Sequence, residues 1–552
     1  MTASGFERPG LATLAWLPLT TLLMWGNQLA PACAASPNPI VQENRRPGTT
    51  DWILTRPVDH EHELEGYASA TSINRGETLR LYIHSADPAY TLAVYRMGWY
   101  GGAGARLVFG PLTLPGQQQP MPAPHPITGL IECNWKVSYR IGTAGAPPEE
   151  WRSGVYLVKL TGSVSGKQSY ILFVVREDDR PAELLFQSSV TTFQAYNSWG
   201  GKSTYPTNST GFLWARNVSF NRPYGRSMHP RGAAGVGAGD FLTATSIHDG
   251  SPVSPAGWEY NMVRWLEREG YDVTYSTSLD THTRADLAAG HKVFLSVGHD
   301  EYWSRDMRTH VEAAREAGMG LGFFSSNTCY WQIRLEPSPL TGEPNRTMVA
   351  YKEYARSEDP MALDDDPTND HLVTGQWREA PVNDPEHRLL GVMYETVPVD
   401  GAIVITAPSH PIFAGVSLPP DRRLPGLLGY EIDRTFPDGP AGLTVLARSP
   451  YPAAGPDAVG ETTLYQPPGG GAVFATGSMQ WSWGLDDYNA PALRTARLNP
   501  AAQQITRNVL AWLAGRVPPE SHPDATTPDP AEPPHLPAGH TPGLSKTPPA
   551  GN

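Results

Sequence analysis

Residues 293–297 are an apolar run of strand type that empties into Gly298-His299-Asp300-Glu301-Tyr302-Trp303. An imidazole and a carboxylate two positions apart, just beyond a buried strand, can exchange a proton or share a cation. Two further polar clusters follow strand-like runs in the same way. Residues 320–325 lead into Ser326-Asn327-Thr328-Cys329-Tyr330-Trp331. Residues 184–190 lead into Phe193-Gln194-Ala195-Tyr196-Asn197-Ser198-Trp199-Gly200-Gly201. Neighbouring parallel strands lie about 5 Å apart, so side chains from three such loops can converge on one place. Convergence is the argument, because each cluster alone has a plain structural explanation. A His-x-Glu pair also suits a hydrogen-bonded loop, Asn327 a turn, and Tyr196 a core. Glu431, in Gly429-Tyr430-Glu431-Ile432-Asp433, also suits a surface ion pair.

Several familiar catalytic devices are missing from the sequence. Ser296 lies inside its strand between Leu295 and Val297, so there is no Gly-x-Ser-x-Gly elbow. No cysteine stands at the strand-to-helix turn where His299 to Tyr302 are found. No His-Glu-x-x-His pair and no phosphate-cradling glycine loop occurs. His299-x-Glu301 is the sharpest chemical signal in the chain.

The elements around these loops predict a multidomain chain. From 66 to 176, short alternating runs (91–96, 136–139, 155–160, 170–175) separated by turn residues predict an antiparallel β-sandwich. Arg176-Glu177-Asp178-Asp179-Arg180-Pro181 reads as a linker. From 182 to 516, strands alternate with helices, which predicts an α/β domain with a mostly parallel sheet covered on both faces. A helix carrying Met262, Trp265 and Leu266 stops at Gly270. Another is capped by Ser304, lines up Met307, Val311 and Ala314, and ends at Gly318. Strands near 443–447 and 471–476 extend the sheet. A last helix, with Ile505, Val509, Trp512 and Leu513 on one side, ends at Gly515. In an open α/β sheet, ligands bind beyond the carboxyl ends of the strands, where the three polar clusters fall.

The 552 residues carry a net charge of −13 without any basic run, which argues against nucleic acid or an anionic membrane as partner. Arg8, the apolar stretch 11–25 and Ala32-Cys33-Ala34-Ala35 are the parts of a secretory signal peptide over residues 1–35, too short for a membrane span. That predicts a secreted or periplasmic protein with an extended leader over 36–65. Cys133 and Cys329 fall in different predicted domains and read as two buried thiols. From Val517 on, 11 of 36 residues are proline, the composition of a disordered tail.

Taken in order, Tyr95-Arg96-Met97-Gly98-Trp99-Tyr100-Gly101-Gly102, Cys133-Asn134-Trp135, Ser153-Gly154-Val155-Tyr156, Ala195-Tyr196-Asn197, Asn221-Arg222-Pro223-Tyr224, Gly298 to Trp303 and Asn327 to Trp331 form a specific series. From about 66 to 515 the chain resembles the large-subunit family of N,N-dimethylformamidase. The resemblance implies a glutamine-amidotransferase-like catalytic domain and a mononuclear Fe3+ site held by two tyrosines and a glutamate. Carried over by motif, Glu301 is the carboxylate ligand and His299 the polar group of the same loop. Asn327 becomes the residue orienting substrate or water, and Glu431 a general base. Tyr224 fits the second tyrosine, and Tyr196 the first, with Tyr205 as its alternative. A free phenol ionises near pH 10, so two phenolates at neutral pH need a strong Lewis acid beside them, and three anionic oxygen ligands suit a hard ion. The implied reaction is hydrolysis of a C–N amide bond in a small amide, with a small subunit or a homo-oligomer as possible partner. A non-enzymatic alternative has Trp99, Tyr100, Trp135 and Trp199 stacking on a glycan or meeting another protein.

Overall fold

The largely apolar runs at 184–188, 293–297 and 320–324 ask for burial on both faces, and every residue in them is buried. In the computed structural model they become neighbours in a seven-stranded sheet. Its order is Val273–Thr277, Leu184–Ser188, Val293–His299, Gly320–Ser326, Val473–Ala475, Val459–Tyr465 and Thr444–Pro450. The first five strands pair in parallel and the last two pairings are antiparallel, so the sheet is mixed. The chain passes from Leu184–Ser188 outward to Val273–Thr277. It then returns to the opposite side of Leu184–Ser188 as Val293–His299. The strand order therefore reverses between these two, and that is where a crevice opens in such sheets.

The structure describes residues 38–142, 150–226, 231–244 and 256–516, all within the compact unit Asn38–Asn552. The expected signal peptide and proline-rich tail lie outside the described residues. The helices behave as their sequences require. Glu259–Glu269 buries Met262, Val263, Trp265 and Leu266, and closes on Gly270 with φ 77°, where a side chain would be strained. Arg305–Glu316 begins under Ser304, whose side chain accepts the Met307 N–H. Pro500–Leu513 buries Ile505, Val509 and Leu513.

The early strands form a five-stranded sheet (Ser72–Asn74, Gln168–Arg176, Gly154–Gly162, Ala89–Met97, Ala105–Pro115) and a three-stranded one (Leu64–Ala68, Leu79–Ser85, Tyr139–Ile141). Ser72–Asn74 pairs parallel to Gln168–Arg176 and departs from the expected antiparallel pattern. Two other segments differ from expectation. Part of the predicted extended leader is a helix, Pro39–Asn44, and the segment sinks Ile40, Trp52, Leu54 and Val58 into the core. The predicted linker is pinned by ion pairs, Arg176 to Asp280 at 2.7 Å and Arg180 to Asp272 at 2.5 Å. Cys133 and Cys329 are both buried and free. Among the described residues no helix is long and apolar enough to cross a membrane.

Candidate functional site

His299 is the last residue of its strand, and side chains alternate along extended chain. His299 and Glu301 therefore share one side while Asp300 faces the other. Asp300 is anchored there by Ser296 Oγ at 2.8 Å and Gln187 Nε2 at 2.7 Å. Gly298 makes the turn possible: its φ is 74°, and a Cβ on it would come within 2.6 Å of Trp258 Cβ.

The helix Val190–Tyr196 holds Glu301 at both ends. Thr192 and Tyr196 are four residues apart and so lie on one helical face. Thr192 Oγ1 accepts the Glu301 N–H at 3.0 Å, and Tyr196 OH donates to Glu301 Oε2 at 2.6 Å. After the helix the chain loops through Gly200 and Gly201 and returns with Tyr205. Its hydroxyl stands 2.9 Å from that of Tyr196, 3.2 Å from both Glu301 oxygens and 2.7 Å from Tyr302 OH. Glu431 arrives from the long ribbon strand Arg423–Arg434, and Asp433, two residues on, faces the same way. Asp433 Oδ1 accepts the Asn327 N–H at 2.8 Å and Ser326 Oγ at 2.7 Å. This fixes the Asn327 backbone at φ 53°.

The charges are unevenly matched. His299 Nε2 lies 3.2 Å from Glu301 and 3.4 Å from Glu431, all buried. Burial opposes a charged imidazole, but Glu431 and Glu301 outweigh it and hold His299 up at about 9. Burial lifts Glu431 to about 7 against the pull of His299. Burial also opposes ionisation of Glu301, yet His299, then Lys352 and Tyr196, keep it below the usual carboxylate range. Burial and then the Glu301 charge push the Tyr196 and Tyr205 phenols well above their ordinary value. Unaided, both are neutral donors to Glu301.

The structure thus brings together His299, Glu301, Asn327, Glu431, Tyr196 and the alternative Tyr205. It does not bring Tyr224. The Arg222-Pro223-Tyr224 segment is drawn alongside the helix, because Asn197 Nδ2 binds Pro223 O at 2.9 Å and Arg222 binds the Asn197 carbonyl. The Tyr224 ring meets Phe193 edge-on at 6.4 Å, and none of its described contacts reaches Glu301. In space, Tyr205 stands where Tyr224 was expected.

Sequence reasoning missed Lys352. Its ammonium is buried 3.3 Å from the centroid of the Tyr205 ring and 5.1 Å from that of Trp331, and it donates to Thr204 O at 3.3 Å. Burial brings it down to about 8, with Glu301 opposing. Nothing in Ala350-Tyr351-Lys352 marks this lysine as buried. Half-buried Tyr394 also borders the cluster. Burial, then Glu431, push its phenol upward.

The oxygens of Tyr196, Tyr205 and Glu301, within 2.6–3.2 Å of one another, fit a shared cation. Neighbouring oxygens bound to one hard cation at about 2 Å sit about 2.8 Å apart, so little movement separates this hydrogen-bonded set from a ligand set. No group of three His, Cys, Asp or Glu suited to a metal occurs among the described residues; the donors here are phenols and one carboxyl.

Fold and site together define an α/β protein with an oxygen-rich site at the switch point of its sheet. Residues 91–493 match the family described as N,N-dimethylformamidase beta subunit-like, C-terminal, and the chain belongs to that family. A search of curated proteins finds no match to it.

Proposed function

We propose that this protein is an exported, ferric-iron-dependent hydrolase that cleaves the C–N bond of a small amide, in a domain of glutamine-amidotransferase-like descent. The observation that carries the reading is the meeting of two phenol oxygens and one carboxylate in a buried cluster beside a charged imidazole. Family membership supports the reaction class. Tyr196, Tyr205 and Glu301 would hold the iron, which supplies Lewis acidity to an amide carbonyl and to water.

The remaining residues take roles their positions allow. Glu431, held near 7, accepts a proton from the attacking water. Asn327, whose side chain hydrogen-bonds Glu431 while its amide oxygen is buried without a hydrogen-bond partner, orients the base and turns that oxygen to the substrate. His299, charged at neutral pH, stabilises negative charge developing on the carbonyl oxygen or gives a proton to the leaving amine. Half-buried Tyr394 and Tyr330, 5.5 Å apart, border the cluster and favour a small substrate. Export rests on residues 1–35, and a second subunit on the family's description as a beta subunit. Of the four rings of the glycan-binding alternative, Tyr100, Trp135 and Trp199 are buried, and half-buried Trp99 lies against Arg264 and Arg268.

Metal analysis and visible absorption of the purified chain test the proposal. Iron with a phenolate-to-metal band is the expected result, lost in Glu301→Ala. Asn327→Ala should keep the iron and lower turnover of a formamide by about 10²–10³-fold. A protein that stays colourless and iron-free after refolding with iron would overturn the metal reading.

A further inference from the structure

Arg222 and Arg346 are both buried, at 2% and 5% exposure, and neither pairs with a carboxylate. Glu343, whose charge acts on Arg346, is paired with Arg80, and Glu61, whose charge acts on Arg222, accepts the Gly200 N–H; neither forms an ion pair within 4.0 Å of these arginines among the described residues. Backbone carbonyls and one amide oxygen satisfy most of the two guanidiniums. Arg222 donates to the carbonyls of Asn197 at 2.9 Å, Trp199 at 3.2 Å and Lys202 at 2.8 Å. Arg346 donates to Asn221 Oδ1 at 2.8 Å and to the carbonyls of Phe220 at 2.9 Å and Ala68 at 3.1 Å. Arg222 Nε is left buried without a hydrogen-bond partner. Both arginines, with Tyr67, Gln194 and Tyr224, line one cavity of about 30 Å³.

Carbonyl dipoles do not neutralise two full charges taken out of water, and an uncompensated buried charge is strongly destabilising. Water in the cavity would satisfy hydrogen bonds while leaving the charge uncompensated. We propose that this cavity is a binding site for a monatomic halide, chloride in practice, held between Arg222, Arg346 and the Tyr224 hydroxyl. The space exceeds the 10–15 Å³ or so that one water requires, so a monatomic anion fits it. Burial brings both guanidiniums down to about 10, although Glu61 at Arg222 and Glu343 at Arg346 partly oppose it.

The site has structural reach. Arg222 grips Asn197, Trp199 and Lys202, which lie on the loop between Tyr196 and Tyr205. Arg346 reaches Ala68 on the sandwich strand Leu64–Ala68. A halide here would hold that loop against the sandwich without touching the reacting cluster.

Bromide soaked into crystals of the full chain should give an anomalous peak inside the cavity. Replacing gluconate by chloride at equal ionic strength should raise the melting temperature saturably by about 2 °C or more, and Arg346→Gln should abolish both effects. If that variant fails to fold, the bromide map of the unaltered protein decides. A cavity without an anomalous peak overturns the proposal, whatever the melting curves do.

Discussion

Two regions bury a glutamate among tyrosines and cations, and they do so differently. At the junction of the five-stranded and seven-stranded sheets, Glu267 accepts from Arg96 at 2.8 and 3.0 Å, from Tyr275 at 2.9 Å and from Asn44 at 2.7 Å. Tyr100 passes the network on to Glu43, which Arg106 meets at 2.5 Å. Two largely buried guanidiniums there face two carboxylates, and the exposed Arg46 adds a third, 3.5 Å from Glu43. Around Glu301, two carboxylates share one imidazole, the phenols are forced to stay neutral, and the other cation is a lysine lying over a ring. Matched buried charge locks elements together, whereas unmatched buried charge stores a demand that a bound cation or a reacting molecule can meet.

The largest effect that sharpens this contrast is expected at the junction. Arg96→Ala strands Glu267 in the core, and breaking a buried pair in this way costs about 3–5 kcal/mol. Denaturant unfolding should show the loss, and iron content per folded molecule should not change. Equal losses of stability from Arg96→Ala and Glu301→Ala would erase the distinction between the two regions.

Next in size is Glu259, near the site but without a cation. Its carboxyl accepts from Ser188 Oγ and the Ser189 N–H, both at 2.8 Å, and burial pushes it up to about 8. A folded value above the unfolded one favours folding at low pH. The contribution is complete below about pH 4 and is lost as pH rises towards 8. Glu259→Gln keeps a neutral side chain and should flatten that decline. The gap between wild type and variant should change by about 2 kcal/mol or more between pH 5 and 8. Parallel stability profiles would mean that Glu259 does not change its protonation across this range.

Much of this architecture was legible because periodicity and caps are local. Gly270, Ser304 and the apolar strands 293–297 and 320–325 announced themselves, and three loops at strand ends pointed to His299, Glu301 and Asn327. What stayed hidden depends on packing across long separations. Tyr205 entered only as the alternative to Tyr196, yet both stand beside Glu301, on a loop that Arg222 holds through the carbonyls of Asn197, Trp199 and Lys202. The helix Pro39–Asn44 is too short to show a period and owes its place to Asn38, which caps it and also binds Gly270 O at 2.8 Å.

Lys352 gives the smallest expected effect and the finest test of the comparison. Its ammonium sits over the Tyr205 ring and lowers the Glu301 carboxyl, but it makes no ion pair within 4.0 Å among the described residues. If it balances the negative charge gathered on Tyr205 and Glu301, Lys352→Met should leave the fold intact and cut turnover about tenfold, a loss of about 1.4 kcal/mol. Methionine fills similar space, so packing is largely kept. Steady-state kinetics and denaturant unfolding on the same preparation separate the possibilities. A turnover loss with unchanged stability places Lys352 in the unmatched cluster. A stability loss with unchanged turnover would move it to the junction's side of the comparison, as one more cation placed to hold the fold.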